Sequence, residues 1–472
     1  MRRGARAAAL ALGAMLVLAG PAQAAQNLLD TYEQALRNDP DLLGAEAEAG
    51  AAGARYRRAR GQLLPQLSAS ASYSTVTQDQ TFERPENDGA TGADFFATDD
   101  GATTSDQQSY SLDLTQPLFN WRAWQEKDAA DADRAAARAS LSVAEQDLIV
   151  RVARSYFDVL AARDALRAAR EQRRSIRRQL DRAEAAYSAG LEPITDQQEA
   201  RSSLDSAEVD AITAENELAS ARDALIALTG RSPSALSGID VDTAVPEAES
   251  PAQRDREAWL VTALDRSPRI ASARASWRAA RQRIAAERGG HLPTVDLVGS
   301  VGRQEQLFPI GGGQANLIDE TRSIGVQLQM PLFSGGATSA AVAEAEYEAE
   351  QVRLDLIAAR RQLIIDINDA WRDVDATRRR LAALERAIDS GRTALEAARA
   401  GYRLGNRTIL DVIDAEITLV QRRADRKQAW YDHALARLEL RAAAGVLGFD
   451  GLARINARLH GAPAMAGDGA RG

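Results

Sequence analysis

Two aspartates near the C-terminal end of the chain have the spacing that points most directly to chemistry. Asp411 and Asp414 are three positions apart in a stretch with helical spacing of apolar residues, so their carboxylates share one helix face. Carboxylates that are crowded together favour cations and raise one another's pKa. Two solvated acids on an exposed helix are the alternative interpretation of the same pair.

Catalytic and cofactor-binding patterns are missing from the sequence. The chain has no Cys and only 3 His (His291, His433 and His460), which excludes thiolate chemistry and leaves little for a His-based metal site. It also contains no nucleophile elbow, no phosphate-binding P-loop and no H-E-x-x-H zinc pattern. We therefore predict that the protein is not an enzyme and carries no cofactor or metal.

The composition is that of a protein built from long helices. Charged residues make up 26% of the 472 residues and aromatic residues only 5%, while Ala, Arg, Glu and Leu are abundant. The net charge is -9, and the arginines are interleaved with acids. A dedicated nucleic-acid-binding protein would carry a basic face, so nucleic acid is not an expected partner.

The first residues have the pattern of a secretory signal peptide. Arg2, Arg3 and Arg6 precede an apolar stretch at 7–19, and Ala22-Gln23-Ala24 is a small-residue cleavage site. We predict a signal peptide at 1–24 and an exported mature chain. No later stretch has the 18 or so apolar residues of a membrane helix, so the protein is either secreted or spans a membrane by strands.

The chain contains two copies of one unit. Three pairs of landmarks recur in the same order about 215 positions apart: Pro117 with Pro331, Tyr187 with Tyr402, and Gly230 with Gly445. The predicted segments of the first copy are a short helix at 25–65, a β-hairpin with an extracellular loop at 66–118, a long helical hairpin at 119–230 and a linker at 231–255. Those of the second copy are a short helix at 256–292, a β-hairpin at 293–332, a long helical hairpin at 333–447 and a flexible tail at 448–472.

Both predicted hairpins alternate apolar residues with small or polar ones. Such strands match a membrane β-barrel with lipid outside and water inside, although a half-buried hairpin on a soluble core has the same pattern. Gly- and Asp-rich loops are expected at 77–106 and 303–320. The acidic loop does not have the spacing of a twelve-residue calcium loop, so we interpret it as solvated.

The segment Gly401-Tyr402-Arg403-Leu404-Gly405-Asn406-Arg407-Thr408-Ile409-Leu410-Asp411-Val412-Ile413-Asp414-Ala415 resembles the periplasmic tip of TolC-family outer-membrane channels. The opening stretch 27–40 is similar to the start of those proteins, and the resemblance covers about 25–450. It implies an α+β membrane protein that is a homotrimer. Each protomer would give four strands to a twelve-stranded β-barrel, which a long α-helical coiled-coil tunnel would continue into the periplasm.

The resemblance also implies roles for particular residues. Asp411 and Asp414 would form two stacked rings at the pore constriction. A gate latch would link Tyr402 and Arg407 of the inner coiled coil to Thr195 and Asp196 of the outer one. The turns at Gly190 and Gly405 would be the places where an adaptor docks, and as plain helix C-caps they would select glycine in any case.

Aromatic residues cluster where each second strand enters its helix. Phe119, Trp121 and Trp124 lie there in the first copy and Phe333 in the second. They are candidates for a belt at the membrane interface. Packing at the junction between strands and helices is an equal alternative.

The function implied by the resemblance is a trimeric exit duct for type I protein secretion, multidrug efflux or both. Its expected location is the outer membrane of a Gram-negative bacterium, in contact with outer-membrane lipid and with a large periplasmic part. Its expected partners are a periplasmic adaptor (a membrane fusion protein) and an inner-membrane transporter of the ABC or RND type. The alternative is a secreted structural coiled-coil trimer, which explains the long helices but not the alternating strands or the duplication.

Overall fold

The computed structural model describes residues 26–78, 103–190, 193–233, 235–238, 255–310 and 313–457. The predicted signal peptide and most of the predicted acidic loop lie outside these residues. The described chain is mostly helical and contains one four-stranded sheet. It divides into two compact units. Of the described residues, those up to 47, those within 139–271 and those from 358 on form the helical unit, and those within 48–138 and 272–357 form the sheet unit.

The helices and strands repeat in the same order. The first series is α1 (Leu28–Asn38), α2 (Pro40–Gly61), β1 (Gln66–Gln78), β2 (Thr103–Phe119), α3 (Trp121–Ser188) and α4 (Ile194–Thr229). The second series is α5 (Arg256–Arg266), α6 (Pro268–Arg288), β3 (Thr294–Ile310), β4 (Gly313–Gln329), α7 (Ala337–Arg403) and α8 (Ile409–Ala443). A short 3-10 turn (Gly289–His291) follows α6, and α9 (Phe449–Asn456) follows α8.

The sheet is antiparallel in the order β1-β2-β3-β4. Hydroxyl groups meet across neighbouring strands on one face, where Ser70 pairs with Ser111 and Ser300 with Ser323. Their Oγ atoms are 2.9 Å and 2.7 Å apart, respectively. Because side chains alternate between the two faces, the neighbouring apolar positions form the opposite face, whose exposed members include Leu67, Leu112, Val301, Ile324, Val326 and Leu328.

The second strand pair is longer than its sequence suggests. A loop was expected at 303–320, but β3 continues to Ile310 and β4 begins at Gly313. Paired residues continue without interruption from Thr294 with Gln329 to Ile310 with Gly313. The reason is that the ladder joins backbone groups, so β3 extends through 303–306, where the side chains are polar on both faces.

Each short helical segment expected at 25–65 and 256–292 is two helices. Asp39 and Ser267 have extended backbones, and Pro40 and Pro268 open α2 and α6. This break follows from the proline, which disfavours a helical residue before it and suits the first helical position. Asp39 also accepts a hydrogen bond from the backbone N–H of Leu42 at 2.8 Å.

The core of the helical unit centres on aromatic side chains from α3 and α8. Tyr156 and Phe157 of α3 are buried with Trp430 and Tyr431 of α8. Phe157 stacks on Tyr431 with ring centroids 5.5 Å apart. Leu residues of α1, α2, α4, α7 and α9 complete this apolar cluster, so its burial joins seven helices.

The chain after Gly448 differs from the flexible tail that was expected from 448 onward. Phe449–Asn456 form α9, in which Leu452 is completely buried. The Asn456 side chain accepts a hydrogen bond from the backbone N–H of Leu28 at 3.0 Å. Apolar side chains of α9 that are three positions apart therefore pack this short helix against α1. The remainder of the predicted tail, 458–472, lies outside the described residues.

Two kinds of feature are absent from the described residues. No helix among them combines the length and the apolar character needed to cross a membrane. The same part of the chain contains no group of three or more His, Asp or Glu side chains arranged to hold a metal ion.

Candidate functional site

The two predicted docking glycines have left-handed backbones. Gly190 ends the first long helix with φ +71°, and Gly405 ends the second with φ +74°. Neither position has another group within 4 Å of where a Cβ would lie. The glycines are thus required by the turn conformation, which disfavours other residues, and not by crowding. Adaptor docking at these turns stays a prediction.

Asp411 is part of the cap at the start of α8. Thr408 is the N-cap, and its Oγ1 accepts from the backbone N–H of Asp411 at 3.2 Å. The Asp411 carboxylate accepts in return from the Thr408 N–H at 2.9 Å and from its hydroxyl at 3.0 Å. These bonds, together with nearby Arg407, hold the pKa of Asp411 below its usual value because they favour the ionised form.

Asp414 lies about one turn further along α8 and is exposed. It shares one side of the helix with Asp411, as their spacing predicts. In one protomer the cap lowers the pKa of Asp411, whereas the predicted crowding would raise it only when three copies bring their carboxylates together. The paired rings therefore stay a prediction about the assembled protein.

Apolar contacts on two sides fix the start of α8. Ile409 and Ile413 are buried against the end of α3 and the start of α4. Val412 and Leu419 are buried against the end of α7. Because these four residues occupy the opposite side of the helix from the two aspartates, packing itself aims the carboxylates away from the three neighbouring helices.

The predicted latch residues make local contacts. Arg407 Nη1 is 3.6 Å from Asp411 Oδ1, and the Thr195 hydroxyl donates to Asp196 Oδ1 at 3.3 Å. Tyr402 is half-buried against the apolar clusters on both sides of α8. The two polar contacts stay within their own turns, so a latch between the hairpins is not tested by them and stays a prediction.

The aromatic residues at the two strand–helix junctions have different surroundings. The rings of Phe119 and Trp124 meet edge to face at 5.4 Å. Trp121 Nε1–H donates to the carbonyl oxygen of Ala285 at 3.1 Å. Phe333, in contrast, is 90% exposed. These contacts favour the packing interpretation for the first copy and leave the membrane-interface interpretation open for Phe333.

One polar contact near the start of α8 was missed in the sequence. Glu416 accepts a hydrogen bond from the Ser175 hydroxyl of α3, and its other oxygen lies 3.5 Å from Arg399 Nη2 of α7. Glu416 follows Val412 by four positions and Ile413 by three, which are the spacings at which apolar residues recur on the buried face of a helix. An acid at such a position is a sequence signal, but nothing in the sequence identifies its two partners.

The combination of a duplicated strand-pair and helical-hairpin unit with a capped, acid-bearing turn defines the class of the protein. The chain belongs to the outer membrane efflux protein family, whose sequence model matches residues 31–231 and 259–446. The two matched parts correspond to the two repeats, and each includes a long helical hairpin.

Individual relatives agree with this assignment. The outer membrane protein TolC of Vibrio cholerae is 31% identical over 92% of this chain and 94% of its own length. The alkaline protease secretion protein AprF of Pseudomonas aeruginosa is 31% identical over 92% of this chain and 88% of its own. The fold is similar to that of the Campylobacter jejuni CmeC outer membrane channel, with a TM-score of 0.73 at 18% identity over 92% and 90% of the two chains.

Proposed function

We propose that three copies of this outer-membrane exit duct assemble into one twelve-stranded barrel continued by a helical tunnel. The proposal places the barrel in the outer membrane of a Gram-negative bacterium and the tunnel in the periplasm. Family membership supports a duct for efflux. The similarity to a relative named for alkaline protease secretion supports a duct for protein export as well.

The observation that carries the trimer is the open sheet. Within the described residues, β1 pairs only with β2 and β4 only with β3, so each outer strand has one unpaired edge. The sheet has an apolar face and a hydroxyl-rich face. Open edges are not tolerated in lipid, so pairing of β4 with β1 of another copy would satisfy both edges and close a barrel with water inside.

The periplasmic end is where we place the constriction and the partners. Three copies of Asp411 and Asp414 would give rings of negative charge, which favour cations. Thr195, Asp196, Tyr402 and Arg407 would form the latch, and the Gly190 and Gly405 turns would receive the adaptor. Exposed polar links of this kind are worth about 0–1 kcal/mol each, so an adaptor with an ABC or RND-type transporter could undo them on binding.

Disulfide cross-linking tests the trimer directly, because the chain has no Cys of its own. Ser72→Cys on β1 is combined in turn with Asp319→Cys, Thr321→Cys or Ser323→Cys on β4. We expect one combination to give a covalent trimer on a denaturing gel after oxidation. The matched control replaces Ser72→Cys by Ser111→Cys on the central strand β2 and should give no intermolecular product. Monomers in every combination, with a monomeric mass in detergent, would contradict the proposal.

A further inference from the structure

Glu416 occupies a position on α8 where an apolar side chain is expected. It lies on the side of the helix that carries Val412, Ile413 and Leu419, all of which are buried. Its side chain is only 20% exposed. A carboxylate that loses this much water needs compensating partners, because desolvation of a charge is costly.

The partners of Glu416 come from two different helices. The hydroxyl of Ser175, a buried residue of α3, donates to Oε1. Arg399 of α7 approaches Oε2 at 3.5 Å, and its side chain is 51% exposed. The bond from the buried hydroxyl is charge-assisted and shielded from water, whereas the arginine contact is partly screened. One carboxylate therefore connects three helices, and Ser175 is its stronger partner.

The corresponding position in the first repeat lacks this arrangement. The residue 215 positions before Glu416 is Arg201, and the residue 215 positions before Arg399 is Glu184. The charges are exchanged between the two repeats, and both Arg201 and Glu184 are exposed. A partly buried acid at this level is thus particular to α8, the helix that carries Asp411 and Asp414.

We infer that Glu416 is a positioning residue that holds the start of α8 against α3 and α7 and so sets the width of the constriction. The inference rests on the proposed function, because it assumes a duct that narrows at Asp411 and Asp414. Glu416 lies between one and two turns beyond Asp411. Loss of its bonds would leave the apolar contacts of Ile409 and Val412 in place but would let the helix shift relative to its neighbours.

Single-channel recording of the reconstituted full chain tests the inference. Glu416→Gln removes the charge and Ser175→Ala removes the hydroxyl. We expect each variant to raise the mean conductance by about twofold or more by shifting the population toward a wider constriction. The channel should remain cation-selective, because the aspartates remain. A general loss of structure would alter both quantities, so this combination separates positioning from folding.

Two control variants are matched to these changes. Arg201→Gln alters the exposed residue at the same place in the first repeat, and Ser175→Thr keeps the donating hydroxyl. Arg201→Gln should conduct like the unmodified protein, and Ser175→Thr should raise the conductance less than Ser175→Ala does. If Glu416→Gln does not assemble, Ser175→Ala decides the test, because it removes a single oxygen atom.

The possible failures are distinguishable. Unchanged conductance in both Glu416→Gln and Ser175→Ala, beside a conducting unmodified protein, would overturn the inference and leave the duct in place. An increase in Arg201→Gln equal to that in Glu416→Gln would also overturn it, because the effect would then not be particular to α8. A silent unmodified protein would overturn the proposed function and the inference with it.

Discussion

The two helical turns that close the long hairpins have the same glycine conformation, but the helices that begin after them are capped differently. After Gly405, α8 begins with a reciprocal capping box between Thr408 and Asp411. In the first repeat, α4 begins after Pro193, which provides no side-chain cap. Asp196 occupies the position equivalent to Asp411, 215 residues earlier, without a capping partner at the position equivalent to Thr408.

This difference shows that Asp411 has a structural task that is independent of any pore. Capping alone is a sufficient reason for an acid at the third helical position. Asp414 has no part in the cap and is exposed on α8, so it is the cleaner probe of a constriction. A substitution of Asp411 that changes conduction has to be compared with one that preserves the cap.

The largest difference in stability between equivalent substitutions in the two repeats is expected at two other glycines, Gly230 and Gly445. Both have φ +70°. A Cβ at Gly445 would lie 2.7 Å from the Arg266 carbonyl oxygen, whereas at Gly230 it would lie 3.4 Å from Asn38 Cγ. Gly445→Ala should cost about 3–5 kcal/mol of stability and Gly230→Ala about 1–2 kcal/mol, since only the former adds a backbone clash to the strain. Thermal unfolding in detergent measures both, and equal losses would contradict this explanation.

Acid should weaken the second hairpin through His433. His433 of α8 is buried against α7. This burial, with Arg437 and Arg378 nearby, lowers the pKa of His433 from 6.5 to about 4. The unfolded chain therefore binds a proton at His433 more readily than the folded chain does. The contribution of neutral His433 to the free energy of unfolding is complete above pH 6.5 and is lost as the pH falls toward about 4. The shift corresponds to about 3 kcal/mol at most.

The first repeat supplies the control substitution for this prediction. Leu218, itself buried, occupies the equivalent position 215 residues earlier. His433→Leu should remove the stability loss between pH 6.5 and about 4. Thr377, which contacts His433 at 3.0 Å, keeps its bond to the Asp373 carbonyl oxygen at 2.7 Å. The same acid-dependent loss in His433→Leu would show that other groups cause it.

The cap itself should have a smaller effect. Thr408→Ala removes part of the capping box and should cost about 1 kcal/mol. Asp411→Ala removes the other part and should also lower the stability. Asp411→Asn keeps an acceptor for the Thr408 N–H and should lose less. Pro193→Ala in the first repeat removes no cap bond. Hydrogen exchange of the backbone amides in the first turn of α8 measures the loss of the cap. Equal protection in Thr408→Ala and the unmodified chain would show that the cap does not distinguish the start of α8 from that of α4.

The smallest effect is expected for the exposed ion pairs that connect α3 with α4. Arg170 and Glu215 approach to 3.3 Å, with side chains 48% and 66% exposed. Arg170→Gln should change stability by about 0.5 kcal/mol or less, because water and salt screen the pair. A loss above about 1 kcal/mol would show that the first hairpin depends on its surface charges more than such exposed pairs usually allow.

The sequence predicted the features that depend on local chemistry. Alternation of apolar with small or polar residues located the four strands. The spacing of Asp411 and Asp414 correctly placed both on one side of a helix. These features follow from backbone restrictions and from the periods of helices and strands, which a single sequence displays.

The features that were missed depend on contacts between distant residues. Glu416 has an unusual position, but its partners Ser175 and Arg399 come from other helices. The helix at Phe449–Asn456 is short, and it is stabilised by packing against α1. Such tertiary contacts override weak local preferences and leave little trace in the order of residues.

Ion selectivity in a planar bilayer tests the central claim most directly, namely that the chain forms a duct that narrows at the acidic face of α8. Reversal potentials are measured in a salt gradient for the unmodified protein, Asp414→Asn and Asp411→Asn. We expect cation-selective channels whose selectivity falls in Asp414→Asn with an unchanged thermal unfolding midpoint, because Asp414 has no capping task. Selectivity that is the same in Asp414→Asn, Asp411→Asn and the unmodified protein would contradict this claim.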